Sequence, residues 1–564
     1  MPATRFTPDK GPLLRSLSAT GATVALAMSW VALSPSLLPR SWWASGLTVA
    51  VSSIFGYAVG TLLQTAWIAL TRASTLRVSI DPVWGRWLRR SWFALLVATT
   101  LWSWVANVHR QDRLEALVGV PSAGWAGQTG GLLLGAVLFA VLLGVARGVR
   151  KLASWLSHRF AVVLPGWLAP ISSLVVVGLL VVAVTNGVVV RPLLETIIEW
   201  SATANRTPWD NRVPPIEPTR SGSPASWERW DTLGAQGQAV VADGPRAADI
   251  EAVTHRPAIE PIRAYAAIGD DRDIEATARA VVAELDRTDA WQRSYLLVAT
   301  AVGEGWVEEY SLSSLEYLTG GDCASASMQY SFLPSGLAYV IDRESPARAG
   351  RALWQAVHQR WSQLPPDDRP ELLVSGESLG SYGSQAAFDS PEQLLTEADA
   401  AVWVGTPNFT PLWSHLTENR RPGSPEVAPV IDNGRHIRFI TTPAELAHDH
   451  YGGTYLPWQD PRVVYVQHAS DPVVWWSVDL LWREPDWARE RAGHDVDASM
   501  RWRPWVTFWQ LMLDMPGALD PDAGHAHSYR SVLVPVWNAV LGQPADADEV
   551  ARIQQAISAS IVPR

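Results

Sequence analysis

The chain has 564 residues, a net charge of −10, a mean hydropathy of +0.04 and a single cysteine, Cys323. One cysteine excludes an intrachain disulfide framework and any metal site built from several cysteines. The acidic balance, with no basic stripe in the polar C-terminal part, argues against a nucleic-acid partner.

The first 200 residues differ sharply from the rest, because they hold long apolar runs and few acidic residues. A membrane span needs about 20 mostly apolar residues. Five runs meet this length: Leu14–Leu33, Trp43–Leu70, Trp92–Val108, Gly130–Val149 and Ile171–Val190. Since four runs follow the first and no convincing cleavage site separates them, we expect the first to be retained. We predict an all-α transmembrane bundle of about five spans over residues 1–200.

The basic residues of this part indicate its orientation. They concentrate in the N-terminus, the second loop and the fourth loop, which lie on one side of the bilayer if there are five spans. These residues are Arg5, Lys10, Arg15, Arg72, Arg77, Arg86, Arg89, Arg90, Arg147, Arg150, Lys151 and Arg159. We therefore predict a multi-pass protein of the cell membrane with a cytoplasmic N-terminus and with everything after Val190 outside the cytoplasm.

Residues 201–246 are rich in Pro, Ser, Gly, Arg and Asp and predict an extended, partly ordered linker. From 247 to 564, short apolar runs alternate with amphipathic segments, which favours a mostly parallel α/β sheet with helices on both faces. The expected strands are Tyr295–Thr300, Ala324–Ser331, Glu371–Ser375, Ala400–Val404, His436–Ile440 and Arg462–Val466. The expected helices are Pro346–Leu364, Ser381–Phe388 and Tyr529–Leu541.

Gly376, Ser378 and Gly380 form a G-x-S-x-G pattern directly after an apolar strand and before a helix. A serine at such a turn projects its oxygen above the sheet, and the flanking glycines let neighbouring backbone pass closely. The five-letter pattern alone is weak, and the strand–helix context supports it. We predict that Ser378 is a catalytic nucleophile, with an ordinary strand–helix turn as the alternative.

A serine nucleophile needs a base and an orienting acid, which follow it in chain order in this type of fold. Asp471 lies in the loop after the last expected strand, where the acid belongs, with an ordinary Asp-Pro turn as the alternative. His525 and His527 lie just before the final expected helix. One of them is expected to be the base, with a modest preference for His525 because Gly524 precedes it; surface histidines are the alternative.

The amide of Leu379, together with an amide from Gly303, Glu304 or Gly305, is expected to form an oxyanion hole. The glycines would let the backbone approach an acyl oxygen closely. No cofactor or metal is assigned to this site.

An aromatic stretch, Trp502, Trp505, Phe508 and Trp509, precedes the histidine pair. It fits a lid, an acyl-chain groove or an interfacial belt, and ordinary core packing explains it as well.

Several motifs resemble the bacterial α/β-hydrolase membrane-protein family typical of actinobacteria, which carries an N-terminal membrane domain. In the apolar half the matching residues are Ser34–Arg40 and Gly56-Tyr57. In the polar half they are Gly303–Val307, Gln329–Ser335, Gly376–Gly380, Val404–Pro407 and Gly524–Tyr529. One departure is that Ala-Val-Gly-Glu-Gly-Trp stands where the family has Thr-Gly-Thr-Gly-Trp. The resemblance implies an α/β-hydrolase domain over 247–564 and no particular substrate.

The expected function is acyl transfer by a membrane-anchored serine hydrolase of esterase or lipase type, or by an acyltransferase. Its expected partners are the bilayer and a lipid or other acyl ester, with the cell envelope as the natural source. Two alternatives stay open. The H-x-H pairs His448/His450 and His525/His527 could serve a metal-dependent hydrolase. The fold could also support a non-enzymatic membrane scaffold or transport accessory.

Overall fold

The computed structural model describes residues 17–73, 82–207, 209, 211–269, 271–334, 336, 338, 342–490, 493–521 and 524–561. The chain forms two compact units. The first unit comprises the chain up to Ala183 together with Val478–Glu484 and Asp497–Asp514. The second unit comprises Val184–Ser477, Pro485–Val496 and the chain from Met515.

The first unit is helical. Its helices are α1 (Ala19–Ala32), α2 (Trp42–Ala73), α3 (Pro82–Val118), α4 (Gly124–Phe160) and α5 (Leu168–Val184). A π-helical turn, Thr185–Val190, continues α5 into α6 (Arg191–Arg206). Among the described residues, four helices are long and apolar enough to cross a membrane: Trp42–Thr71, Val83–Val118, Gly124–Phe160 and Leu168–Arg206. The five expected runs therefore correspond to four helices of spanning length and to α1, whose described part has 14 residues.

Glycines let helices of the first unit approach closely. A Cβ at Gly60 of α2 would lie 2.7 Å from the carbonyl oxygen of Thr20 in α1, and a Cβ at Gly131 of α4 would lie 2.9 Å from that of Trp42 in α2. Apolar surface gives little drive for association inside lipid, so close backbone packing is what stabilises such pairs.

A short helix from the C-terminal part of the chain, α17 (Val506–Asp514), packs in the first unit. Asp514 is buried, and its Oδ2 accepts hydrogen bonds from the hydroxyl of Ser36 and, at 3.4 Å, from the amide of Leu38. Gln510 Nε2 donates to the carbonyl of Ser34 at 2.9 Å. The segment Ser34–Arg40, singled out in the sequence, is thus the docking site for α17.

The aromatic stretch around α17 takes part in the same packing. The ring of Trp505 stacks on Phe55 with centroids 4.2 Å apart, and Trp502 Nε1 donates to the carbonyl of Leu480 at 3.0 Å. Of the roles considered for these aromatic residues, packing within the first unit is the one that the contacts support.

The second unit is built on a seven-stranded parallel sheet in the order β1-β3-β2-β4-β5-β7-β6. The strands are β1 (Ile262–Ala266), β2 (Tyr295–Thr300), β3 (Cys323–Met328), β4 (Glu371–Glu377), β5 (Ala400–Val404), β6 (Ile437–Ile440) and β7 (Arg462–Val466). The predicted α/β class is confirmed, and six of these strands match predicted ones to within a few residues.

Helices lie on both faces of this sheet. The described helices of the second unit are α6, α7 (Gly234–Ala242), α8 (Ala247–Thr254), α9 (Ile274–Arg287), α10 (Glu309–Leu318), α11 (Glu344–Trp361), α12 (Leu379–Gln385), α13 (Pro391–Glu397), α14 (Pro411–Glu418), α15 (Pro472–Trp475), α16 (Asp486–Glu490), α18 (Arg530–Val540) and α19 (Ala547–Ser560). Helices α10, α18 and α19 share one core with alternate strand residues such as Leu297, Leu373 and Val464. Since side chains alternate along a strand, the remaining strand residues face the other group, α9, α11 and α12.

The central strands end level with one another. Thr300 at the end of β2 pairs with Gly376 in β4, Gly376 pairs with Trp403 in β5, and Trp403 pairs with Tyr465 in β7. The loops that follow these strands therefore begin at one edge of the sheet, which is where open α/β sheets bind their ligands.

The sequence analysis missed β1, which has the sequence Ile-Arg-Ala-Tyr-Ala and a charged residue in its centre. Arg263 is nevertheless fully buried. Its guanidinium donates to Glu309 at 2.7 and 2.8 Å and to Glu316 at 2.7 and 2.8 Å. The strand can carry this arginine because α10 supplies both carboxylates, which no local pattern reveals.

The expected linker differs from the observed structure. Within 211–246, helix α7 packs so closely on the sheet that a Cβ at Gly237 would lie 2.3 Å from the ring of Tyr265. Buried Arg220 donates to the carbonyls of Val241 and Pro245 at 3.0 and 2.8 Å. Part of the expected connector, including Arg220, is thus buried and hydrogen-bonded in the second unit.

We predict that Arg263→Met lowers the free energy of unfolding by about 3–5 kcal/mol, because it removes the cation that pairs with the buried carboxylate of Glu316 and the half-buried carboxylate of Glu309. Arg229→Met is the matched control. Its pair with Asp231 is exposed, with 76% and 61% of the two side chains accessible, so we expect the free energy of unfolding to change far less than in Arg263→Met. Denaturant unfolding of the detergent-purified full chain measures both values. Equal unfolding midpoints would contradict a stabilising role for the buried cluster.

Candidate active site

Ser378 lies at a sharp turn between β4 and α12. Its backbone has φ 55° and ψ −123°, a conformation that is strained for any residue with a side chain. A Cβ at Gly376 would lie 2.4 Å from the carbonyl carbon of Gly380, and one at Gly380 would lie 2.3 Å from the carbonyl oxygen of Thr300. The two glycines are therefore needed for the turn to close, which is the geometry of a nucleophile elbow.

Asp471 and His527 form a buried pair. His527 Nδ1 lies 2.6 Å from Asp471 Oδ2. Oδ2 also accepts a hydrogen bond from the hydroxyl of Tyr529 at 2.7 Å, and Oδ1 accepts one from the amide of Val473 at 2.8 Å. Three donors thus hold this carboxylate, which fixes the orientation of the imidazole.

The electrostatic surroundings favour a proton on His527. Burial by itself lowers the pKa of an imidazole, but the carboxylate of Asp471, with those of Glu377 and Glu308, outweighs burial and raises the pKa of His527 to about 9. An imidazole with this raised pKa holds a proton well, which suits a group that takes one from a hydroxyl during a reaction.

The ring of His527 rests on Gly405, the residue directly after β5. A Cβ at Gly405 would lie 2.5 Å from His527 Cε1, so only glycine leaves room for the ring. Gly405 has φ 55°, which glycine adopts without strain. The amide of Ser378 donates to the carbonyl of Val404 at 2.9 Å. The serine turn is therefore hydrogen-bonded to the residue directly before Gly405, on which the imidazole packs.

The structure distinguishes the two histidines that the sequence left open. His527 contacts Asp471, whereas the buried Nδ1 of His525 has no hydrogen-bond partner among the described residues. The cause is the turn between them. Ala526 has φ 50° and its amide donates to Ser470 Oγ at 2.8 Å, which turns the two rings in different directions. The observed pairing therefore differs from the modest preference for His525.

The residues expected to form the oxyanion hole lie at the same edge. Leu379 is the first residue of α12, where a backbone amide has no acceptor within the helix. In the loop after β2, the amide of Gly305 donates to the carbonyl of Val302 at 2.9 Å and is therefore occupied within the turn. Gly303 and Glu304 lie in this turn.

The unusual residue of this loop, Glu304, is held by neighbours in the second unit. Gln236 Nε2 donates to its carboxylate at 2.7 Å, and Gln329 Nε2 donates to its carbonyl at 2.7 Å. Gln329 belongs to the Gln329–Ser335 segment noted in the sequence. These contacts hold both the side chain and the backbone of Glu304 in the loop after β2.

A second carboxylate, which the sequence analysis did not identify, faces His527. Glu377 Oε1 lies 3.9 Å from His527 Nε2, the nitrogen that does not contact Asp471. Burial, together with the nearby carboxylate of Glu308, raises the pKa of Glu377 to about 8. Glu377 occupies an unspecified position of the G-x-S-x-G pattern, and Glu308 lies far away in sequence, so no local signal identifies either.

Tyr529 and His468 complete the surroundings of Asp471. Their rings stack with centroids 4.2 Å apart, and the amide of His468 donates to the hydroxyl of Tyr529 at 3.1 Å. His468 Nδ1 lies 2.8 Å from the carbonyl of Ala526. Both aromatic residues therefore support the acid and the loop that carries His527, and sequence reasoning did not assign them roles.

The H-x-H pairs do not assemble into a metal site with each other. His527 is engaged by Asp471, and His448 Nδ1 lies 3.2 Å from the carbonyl of Asp449. Among the described residues, three potential metal ligands do lie close together: Glu445, His450 and His494. All three are distant from the serine turn in sequence.

Comparison with known proteins agrees with this architecture. A family model described as the alpha/beta-hydrolase family matches residues 262–553, more than half of the chain. A second model, described as the N-terminus of that family, matches residues 33–245. No curated protein and no solved structure matches the chain. From the extent of the first match and the fold that carries it, the chain belongs to the alpha/beta-hydrolase family.

Proposed function

We propose that this chain is a membrane-anchored serine hydrolase or acyltransferase in which Ser378 is the nucleophile, His527 the base and Asp471 the orienting acid. The observation that carries the proposal is the 2.6 Å contact between His527 Nδ1 and Asp471 Oδ2 at the sheet edge where the strained serine turn lies. A hydroxyl is a weak nucleophile at neutral pH, and an imidazole fixed by a carboxylate is the usual way to activate it.

In the proposed reaction, Ser378 Oγ attacks the carbonyl carbon of an acyl ester while its proton passes to His527 Nε2. The negative charge that forms on the carbonyl oxygen is stabilised by the amide of Leu379 and by an amide of the loop after β2. As the tetrahedral intermediate collapses, the leaving alcohol takes the proton from His527. Water or an acceptor alcohol then attacks the acyl-serine, with His527 again acting as the base.

Asp471, Tyr529 and Glu377 have distinct roles in this scheme. Asp471 fixes the ring and stabilises the imidazolium, and Tyr529 holds the same carboxylate oxygen. Glu377 lies on the Nε2 side, where the transferred proton arrives, so above its pKa of about 8 its negative charge adds to the stabilisation of the imidazolium.

The proposed substrate class is an acyl ester of a membrane or cell-envelope lipid. Four helices of spanning length would hold the catalytic unit at a bilayer, where lipid esters are concentrated. With α1 as a fifth crossing, the arginine distribution supports a cytoplasmic N-terminus and a catalytic unit outside the cytoplasm. Hydrolysis and transfer differ here only in whether water or an alcohol accepts the acyl group.

We predict that a fluorophosphonate probe labels the purified full chain and that Ser378→Ala abolishes the labelling. His527→Ala should slow labelling by at least about 1,000-fold, since the serine loses its base. His525→Ala is the matched control, two residues away in the same loop, and should label at close to the wild-type rate. Loss of labelling in His525→Ala with retention in His527→Ala would refute the assignment of the base.

The contact between the ring of His527 and Gly405 gives a second prediction. Gly405→Ala should slow labelling by about 100-fold, because the new Cβ displaces the ring of His527. Gly423→Ala is the control: its φ of +90° is also in the left-handed region, but nothing lies within 4 Å of its Cβ position. The unfolding midpoints of both variants are measured as well. They show whether a slower rate comes from a displaced ring or from loss of the fold. Equal labelling rates for the two variants would show that the position of the His527 ring does not depend on its contact with Gly405.

The third prediction concerns pH. Because the base must be neutral and nearby carboxylates raise the pKa of His527 to about 9, the labelling rate should rise with pH and level off above that value. Glu377→Gln removes a negative charge beside Nε2, which lowers the pKa of His527 and moves the inflection to lower pH. Glu275→Gln, an exposed carboxylate paired with Arg348, should leave it in place. If the pH at the inflection of the labelling rate is the same in Glu377→Gln as in the wild type, the proposed coupling between Glu377 and His527 is wrong.

A further inference from the structure

Three side chains outside the serine site converge in the second unit. Glu445 lies in the turn after β6, His450 in the loop that follows, and His494 in a segment much later in the chain. One ligand atom from each lies within 4.8 Å of those of the other two. His450 Nδ1 is 3.4 Å from Glu445 Oε1, and the rings of His450 and His494 stack with centroids 4.4 Å apart.

The carboxylate of Glu445 is fixed in place. It is buried, and its Oε2 accepts hydrogen bonds from the amides of Thr441 and Thr442 at 2.5 and 3.2 Å, which leaves Oε1 facing His450. A buried carboxylate with one oxygen held by amides and the other directed at an imidazole resembles a metal ligand with its supporting hydrogen bonds.

The loop that presents His450 is also held rigidly. Asp449 Oδ1 accepts hydrogen bonds from the amides of Tyr451 and Gly453 at 3.0 and 2.7 Å, and Oδ2 accepts one from Arg421 at 2.7 Å. Asp449 is therefore occupied in shaping the loop. His494 is exposed, so its ring can turn toward an incoming ion at little cost.

Two imidazoles and one carboxylate are a ligand set typical of zinc and related divalent transition metals. Calcium and magnesium prefer sets made of oxygen alone. Three protein ligands leave a tetrahedral ion one position for water. We propose that Glu445, His450 and His494 bind one zinc-like divalent ion at a site separate from the serine, histidine and aspartate described above.

The position of His494 gives this ion a structural role. The next residue, Asp495, is buried and accepts hydrogen bonds from the amide of Ser470, at 3.0 Å, and from its hydroxyl. Ser470 Oγ in turn accepts the amide of Ala526 at 2.8 Å. Ser470 precedes Asp471 and Ala526 precedes His527, so an ion that holds the His494 segment also supports the loops of the acid and the base.

The proposal is tested on the full chain in detergent after a chelator has removed metal. Zinc titration should show one ion per chain, and zinc should raise the thermal unfolding midpoint. His494→Ala and His450→Ala should each weaken zinc binding by more than about 10-fold, since even residues that merely support metal ligands contribute that much. His494 is exposed, so its variant should fold normally. Replacing zinc by cobalt should give the visible absorption of a nitrogen-bound ion.

His448→Ala is the matched control, because His448 is two residues from His450 and is not one of the three ligands. It should bind zinc as the wild type does. Ser378→Ala should also retain zinc, which keeps this test independent of the proposed serine chemistry. A wild-type chain that takes up no stoichiometric zinc, or a His494→Ala variant that binds it with unchanged affinity, would overturn the proposal.

Discussion

Asp471 Oδ2 accepts hydrogen bonds from two side chains, His527 Nδ1 and the hydroxyl of Tyr529, at 2.6 and 2.7 Å. A fully buried carboxylate is costly unless its lone pairs are satisfied, so this contact ties the end of β7 to the loop before α18. It forms only because β4, β5 and β7 end level with one another. The positions of the imidazole, its seat on Gly405 and the second carboxylate, Glu377, all depend on this constraint.

Much of this architecture could be predicted from sequence, because its signals are local. Buried parallel strands appear as short apolar runs, and β2, β5 and β7 were predicted with the bounds observed. Ser378 is indicated by Gly376 and Gly380, because a Cβ at either position would collide with nearby backbone. The position of Asp471 followed from chain order and strand ends. In each case, the residues that carry the signal are also the ones that shape the backbone.

The features that escaped prediction depend on partners far away in sequence. Strand β1 contains an arginine that is buried only because α10 supplies two glutamates. The polar residues of 211–246 suggested an extended linker, yet Arg220 and its neighbours are satisfied by hydrogen bonds inside the second unit. The choice between His525 and His527 rests on the positive φ of Ala526, which alanine seldom adopts.

The route of the chain between Asp471 and His527 has a consequence for how the protein can be divided. Between Asp471 and His527 the chain leaves the second unit twice, for Val478–Glu484 and for Asp497–Asp514, before it returns to supply the imidazole. A fragment that begins after the apolar helices would keep α17 but lose Ser34–Arg40, and Gln510 and Asp514 would then lose the partners that bury them. No single cut therefore separates the two units, because the second unit is completed by residues that follow Val478–Glu484 and Asp497–Asp514 in the chain.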